Sequence, residues 1–348
     1  MVSYTHHRKE PGNGIILVMP EQFDLVAIGD VTSDAFIKIR EAEVHCDEKG
    51  ENCKIAMRFG DKIPFESVTI VAGVGNSPNA AVSAARLGLK SALVSNLGKD
   101  YHGEEAIAAL IKNRVNTDWV KKHDDIPTNY HYVLWYKDDR TILIKHEQFP
   151  YSLPNIGSPK WVYLSSLGEN SLPFHHEIGA YLAKHPEIKL AFQPGTFQIK
   201  LGKTELADIY KVTEIFFCNV EEAKRILETR EEDIKKLIVG MSELGPKVVV
   251  ITDATRGAYA FQNGKAWFMP PYPDPKPPLE RTGAGDSFAS TFTAALVLDK
   301  SVPEALRWAP INSMSVVQYV GAQEGLLTRE KLEQFLAQAP ADYKPKEI

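Results

Sequence analysis

The residues best suited to chemistry form one short run, Thr282-Gly283-Ala284-Gly285-Asp286-Ser287-Phe288. Three small residues in a row let a backbone come close to a ligand. The pattern over 285–298 then predicts a helix. A helix start presents unpaired N–H groups and the positive end of its dipole. Together Gly283, Ala284, Gly285 and the helix start predict an anion pocket of the kind that holds phosphate. Asp286 falls inside it. A carboxylate there can be a plain N-cap, or it can take the proton from a hydroxyl that attacks a bound phosphate. Spacing alone leaves both readings open.

Such a turn needs a rigid support. Short apolar runs at 25–28, 91–94, 161–164, 190–192, 215–218 and 248–252 read as strands. Between and after them, periodic segments at 79–87, 103–113, 175–184, 203–210, 220–228, 231–243, 303–320 and 328–338 read as helices. The alternation predicts an α/β fold with a parallel sheet covered on both faces. Asn263-Gly264 predicts a type I′ hairpin turn. Six prolines between 270 and 278 predict an irregular connection into the 282–288 run. Residues 1–20 read as an N-terminal extension to a domain over 21–340. Residues 41–62 read as a charged excursion or a longer hairpin.

One segment breaks the rhythm. Residues 128–147 predict two strands around the turn Lys137-Asp138-Asp139-Arg140. On the first strand Tyr130, Tyr132, Leu134 and Tyr136 share one face, and Val133 and Trp135 the other. A hairpin apolar on both faces either lies in the main core or acts as a lid, with one face on a ligand and one on a partner.

Composition narrows the class. The 348 residues carry 40 Lys plus Arg against 45 Asp plus Glu, a net charge of −5. That gives no electrostatic footprint for nucleic acid or an anionic membrane. With 44% apolar and 24% charged residues, the chain reads as globular, not disordered. No apolar run has the ~18 residues of a membrane span, and the run 15–19 is short for a signal peptide. Cys46, Cys53 and Cys218 lack zinc spacing and read as reduced thiols. The expectation is a soluble, cytoplasmic protein.

The 282–288 run resembles the C-terminal signature of the ribokinase-like (PfkB) sugar and nucleoside kinases. Further segments match in order: Val74-Gly75-Asn76-Ser77-Pro78-Asn79, Gly98-Lys99-Asp100-Tyr101-His102-Gly103, Asn219-Val220-Glu221-Glu222, Ile251-Thr252 with Arg256-Gly257-Ala258, and Gly321-Ala322. The resemblance covers about 24–338. It implies a three-layer ribokinase-like fold with a small β lid, built from about 30–75 and 128–147, which in several members pairs into a dimer. It implies that Asp286 is the base, that the amides of 283–286 stabilise the moving phosphoryl group, and that Asp34, Gly75 and Asn79 bind the acceptor. Asn219 and Glu222 would hold Mg²⁺, largely through water. Thr252, Gly257 and Asn219 would line ATP, and Asn312 would lie near its base.

Departures leave points open. Glu280-Arg281-Thr282 stands where the family has Asp-Thr-Thr, which puts activation by K⁺ in doubt. Arg281 either clamps phosphates or pairs with Glu280 at the surface. Val74 replaces a Gly, and Ala254 stands where the nucleotide turn often has Gly. Three functions follow: a sugar kinase, a nucleoside kinase suggested by the aromatic lid, or a ligand-binding relative without catalysis. Other signals are discounted. Gly73-Val74-Gly75 lacks the third Gly of a dinucleotide fingerprint, and Gly202-Lys203-Thr204 lacks the rest of a P-loop. His175-His176-Glu177 reads as a solvated helix face.

Overall fold

The computed structural model describes residues 22–47, 53–137 and 139–348, so the expected extension over 1–20 lies outside the described residues. β1 (Leu25–Ile28) leads into β2 (Thr32–Ile39), the ribbon β3 (Glu43–His45) and β4 (Lys54–Ala56), and β5 (Phe65–Val74). Next come α1 (Asn76–Arg86), β6 (Ser91–Gly98), α2 (Tyr101–Lys112), β7 (Val120–His123), β8 (Asn129–Tyr136) and β9 (Asp139–Leu143). Then follow β10 (Trp161–Leu164), α3 (Leu172–Lys184), β11 (Lys189–Phe192), α4 (Thr196–Glu205), α5 (Ala207–Val212), β12 (Thr213–Asn219), α6 (Val220–Leu227), α7 (Ile234–Ser242) and β13 (Val248–Thr252). The chain finishes with β14 (Ala258–Gln262), β15 (Lys265–Met269), α8 (Ala284–Val297), α9 (Val302–Val316), α10 (Arg329–Ala337) and β16 (Lys346–Glu347).

The main sheet has ten strands in the order β16-β15-β14-β13-β12-β11-β10-β1-β6-β7. From β13 to β7 every pairing is parallel, and the β13–β16 edge is antiparallel. Strand alternation divides the core in two. Leu25, Ala27, Leu93, Tyr163, Phe217 and Val250 face the layer of α1, α2, α8 and α9. Val26, Ile28, Val94, Leu164, Phe192, Phe216 and Ile251 face the layer of α3 to α7. Each fully buried Leu or Phe here contributes roughly 1.5–3 kcal/mol by leaving water. That two-sided burial is why the strands read as unbroken apolar runs. Beyond residue 340 the chain still packs on this sheet: β16 pairs with β15, and the buried Tyr343 hydroxyl donates to the Arg307 carbonyl at 2.7 Å. No helix among the described residues is long and apolar enough to cross a membrane.

The second sheet, β5-β2-β8-β9, is the lid. It leaves the main sheet at the end of β1 and returns through β5 into α1. Register places Asp34 beside His131, Phe36 beside Val133 and Lys38 beside Trp135. Arg140 pairs with Trp135 and Ile142 with Val133, on this same inner face. On β8, residues 129, 131, 133 and 135 are buried, while Tyr132 is exposed and Tyr130, Leu134 and Tyr136 are half-buried. The expected hairpin therefore covers the interior with one face only.

Several expectations are corrected. The turn after β8 is tighter than Lys137-Asp138-Asp139-Arg140: β9 starts at Asp139, so Arg140 is a strand residue; Asp138 itself lies outside the described residues. Cys46 and Cys53 are joined in a disulfide, not free thiols. The β3–β4 register, His45 opposite Lys54, sets them across from each other, a pairing their spacing of seven does not reveal. Cys218 is free and buried. His175 is fully buried, not solvated, with Nδ1 on the Ser171 carbonyl at 2.8 Å; burial holds its pKa down at about 4.

Candidate active site

In open α/β sheets ligands bind beyond the carboxyl ends of the parallel strands. Here Asp30 follows β1, Ser166 follows β10, Gln193 follows β11, and Asn219 and Thr252 end β12 and β13. All five line one cavity of about 450 Å³, roofed by the lid through Asp34, His131, Arg140, Ile142, Ile144 and His146. A second cavity of about 650 Å³ adjoins it. Its wall includes Asp253 to Ala258 and, on the rim, Pro270, Pro271 and Pro278 from the proline-rich connection. Asn219, Thr252, Arg140, Arg281, Gly285 and Phe288 line both.

Asp286 sits in the first turn of α8 and lines the first cavity, next to Gly285, which lines both. Its carboxylate accepts from Asn76 Nδ2 at 2.7 Å, Asn79 Nδ2 at 2.8 Å and Gln193 Nε2 at 3.1 Å. Burial pushes its pKa up; the three amides pull it down, and the charge of Asp34 adds to the rise. A carboxylate with a raised pKa holds a proton more readily. Gly75 precedes α1 at φ +122°, and a Cβ there would meet the Asp30 carbonyl at 2.6 Å. That close approach lets α1 carry Asn76 and Asn79 to the carboxylate.

The turn before α8 is built for an anion. Gly283 has φ +79°, and a Cβ on it would meet Ala322 Cα at 2.5 Å. The N–H groups of Gly283, Gly285 and Asp286 find no acceptor among the described residues, and Ala284 N has only a long 3.4 Å contact to the Arg281 carbonyl. Glu280 is buried, not paired with Arg281 at the surface. One of its oxygens accepts from Thr282 N at 2.6 Å and the other from Gly321 N at 2.8 Å. It therefore staples the turn to the Gly321-Ala322 loop. Arg281 lines both cavities and makes no hydrogen bond or ion pair with its side chain among the described residues.

The part of the first cavity beneath the lid is rich in hydrogen-bond acceptors. Asp34 Oδ1 lies 3.4 Å from His131 Nδ1 without hydrogen-bond geometry, and Asp34 Oδ1 and His131 Nε2 are both buried without a partner. Asp30 is buried and accepts from His146 Nδ1 at 2.6 Å and from the Tyr151 hydroxyl at 3.0 Å. That contact fixes the His146 ring in the cavity wall. Sequence reasoning does not assign Asp30, His131, Arg140, His146 or Gln193 to the site. Only the order of strands and the lid register bring them here.

Asn219 and Glu222 form a reciprocal capping box on α6: Glu222 N donates to Asn219 Oδ1 at 2.8 Å, and Asn219 N to Glu222 Oε2 at 2.9 Å. Glu222 lines the first cavity; burial raises its pKa, and its other oxygen makes no hydrogen bond among the described residues. No cluster of three metal-ligating side chains occurs among the described residues. One free carboxylate oxygen near the anion turn would suit Mg²⁺ held mainly through water, as the ion's reluctance to dehydrate favours. Thr252 and Gly257 lie on the second cavity as expected. Ala254 takes φ +48° there, in the place of a glycine. Asn312 does not line either cavity: it is fully buried, donating to Thr291 at 2.8 Å and accepting from Leu327 N at 2.9 Å. Its neighbours Ser313 and Met314 face the cavity instead. Asp100 caps α2 and holds Thr128 at the lid's root, a structural role.

A parallel sheet covered on both faces, with a β lid over a helix-start anion pocket, defines a ribokinase-like phosphotransferase fold. The pfkB family carbohydrate kinase model matches residues 37–329, and the chain belongs to that family. It is 26% identical to a Bacillus subtilis ribokinase over 289 residues, 80% of this chain and 92% of the relative. It is also 26% identical to a nucleoside kinase of Methanothermobacter thermautotrophicus over 331 residues, 92% of this chain and 98% of the relative. Among solved structures, Arabidopsis thaliana ribokinase complexed with ribose and ATP superposes with a TM-score of 0.75 at 21% identity, covering 91% of this chain and 99% of that one. The chain is thus an enzyme of a sugar kinase family, a phosphotransferase with an alcohol group as acceptor.

Proposed function

We propose that the enzyme moves the γ-phosphoryl group of ATP to a hydroxyl of a small, neutral sugar or sugar-like polyol, with Asp286 as the base. The observation that carries this reading is the position of Asp286. Its half-buried carboxylate lines the first cavity beside three unpaired amides, next to Gly285, which lines both cavities. The acceptor hydroxyl gives its proton to the Asp286 carboxylate as its oxygen bonds to the γ-phosphorus. The bond from that phosphorus to the bridging oxygen breaks, and ADP leaves with the electron pair. The amides of Gly283, Gly285 and Asp286 stabilise charge on the transferring group. Asn76, Asn79 and Gln193 hold the base in place. Arg281, without an internal partner, clamps the phosphates.

Asp34 and His131 favour a neutral acceptor with several hydroxyls, because each leaves a buried polar atom that needs a partner. Mg²⁺ near Glu222 and Asn219 would offset the charge of the nucleotide phosphates. A monovalent cation is not a good fit at Glu280, whose two oxygens are committed to backbone amides. A homodimer through the lid is supported by its outer face, where Ile70, Tyr132 and Leu143 are each about half exposed. The nucleoside reading has relatives in its favour, but its motive in the lid aromatics is weak: Tyr130, Tyr132, Trp135 and Tyr136 do not line the cavity. The test is a panel of neutral sugars, polyols and nucleosides with Mg²⁺ and ATP, read by ADP release and phosphomonoester formation. Turnover on a polyol and none on nucleosides is expected; turnover on nucleosides alone would reverse the choice.

A further inference from the structure

We infer that Arg140, carried by lid strand β9, is a catalytic residue that grips the phosphoryl group during transfer, so that the lid supplies part of the phosphate site as well as the roof. The inference rests on the kinase reading above. Three observations lead to it. Arg140 belongs to the walls of both cavities, as Arg281 and Gly285 do, and so lies where the donor and acceptor spaces join. Its guanidinium is aimed from the core side: Nη2 donates to the Arg281 carbonyl at 3.3 Å, at the entrance to the anion turn. And its hydrogen-bonding capacity is largely unspent. Nη1 meets only the exposed Asp139 next to it, at 3.3 Å, while Nε is buried without a partner.

A guanidinium offers five N–H donors in a fixed fork, which matches phosphate oxygens. Removing such donors from acceptors inside a half-closed cavity is unfavourable unless a ligand supplies the oxygens. Two of the carboxylates of the cavity are already engaged. Asp286 is held by three amides, and Asp30 by His146 and Tyr151. Arg140 and Arg281 thus bring two positive charges to the junction, with only the long contact of Arg140 to exposed Asp139 and the nearby charge of Asp274 set against them. A triply oxygenated group carrying negative charge, crossing from one cavity to the other, fits both. The register that sets Arg140 opposite Trp135 fixes this arm to the lid's inner face, so its contact with phosphate depends on the lid being seated.

The test compares wild type, Arg140→Gln and Arg140→Lys, with Mg²⁺, ATP and whichever acceptor of the sugar and nucleoside panel gives the fastest wild-type turnover. ADP affinity is measured separately by titration calorimetry, and folding by thermal melting. Arg140→Gln is expected to lower kcat by about 100-fold, with ADP Kd within about threefold of wild type. Arg140→Lys, which keeps the charge, should recover part of kcat; a residue that only held the lid's shape would not show that split. The inference is overturned if kcat of Arg140→Gln stays near wild type, if only the acceptor KM moves, or if kcat falls equally in both variants. Should Arg140→Gln melt early, Arg140→Lys alone decides: its kcat falls with ADP Kd unchanged, or the idea is wrong. If wild type transfers phosphate to no member of the panel, the kinase reading itself has failed, which is a different result.

Discussion

The two ends of the candidate site are finished to different degrees. At the end beneath the lid, Asp286 is held by three side-chain amides and Asp30 by His146 and Tyr151, and the open atoms are Asp34 Oδ1 and His131 Nε2. At the anion turn, the amides of Gly283, Gly285 and Asp286 have no acceptor among the described residues, and the Arg281 side chain makes no hydrogen bond or ion pair there. A base held by neighbours needs no rearrangement at the moment of transfer, which is where electrostatic catalysis gains most. Unspent donors instead wait for a polyanion to complete them, so nucleotide binding should depend on charge and acceptor binding on fit.

The most damaging change for this comparison is Asp286→Asn. It should lower kcat by roughly 10²–10⁴-fold while ADP still binds, checked by steady-state kinetics beside calorimetry. Gly283→Ala comes next. It forces a side chain at φ +79° and into Ala322, so the melting curve should show a loss of roughly 1–3 kcal/mol together with weaker transfer. Away from the site, buried His175 offers a control on stability alone. Its pKa is about 4 when folded against 6.5 unfolded. Below pH 6.5 the unfolded chain takes a proton that the folded one refuses, so stability falls through the window from 6.5 to about 4. The loss is about 3 kcal/mol, and urea midpoints for His175→Leu should lack that slope. Tyr132→Asp with Leu143→Asp should turn a dimer into monomers on a sizing column, with kcat changed by less than about threefold. An unchanged elution position would remove the lid as the dimer face. The smallest effect separates the two ends directly: salt raised well above ~0.1 M should weaken ADP binding a few-fold and leave the acceptor KM nearly unchanged.

Much of this is legible in the chain. The apolar runs at 161–164 and 248–252 coincide with β10 and β13, because strands buried on both faces leave unbroken apolar runs. Asp286 and its glycine turn are visible because a tight turn at a helix start needs small residues in sequence. Arg140 and His146 are not, since strand register and the lid's placement bring them to the cavity, and no local spacing encodes that. His175 reads wrongly as solvated because its neighbours His176 and Glu177 are polar, while its own position on α3 turns inward. Asn312 fails for a related reason: on α9 a shift of one residue moves a side chain from the core to the cavity, and Ser313 holds the outward place.

The most direct test of the central claim is the pH dependence of kcat/KM for the acceptor, measured at saturating Mg²⁺ and ATP for wild type and Asp286→Asn. This quantity reports the base of the enzyme before the acceptor binds. Burial raises the Asp286 pKa above the ordinary 3.8, so the wild-type profile should fall on the acid side along a single-proton limb lying above that value. The residual activity of Asp286→Asn should lack the limb. The same limb in the variant, or full turnover by a folded Asp286→Asn, would contradict the assignment.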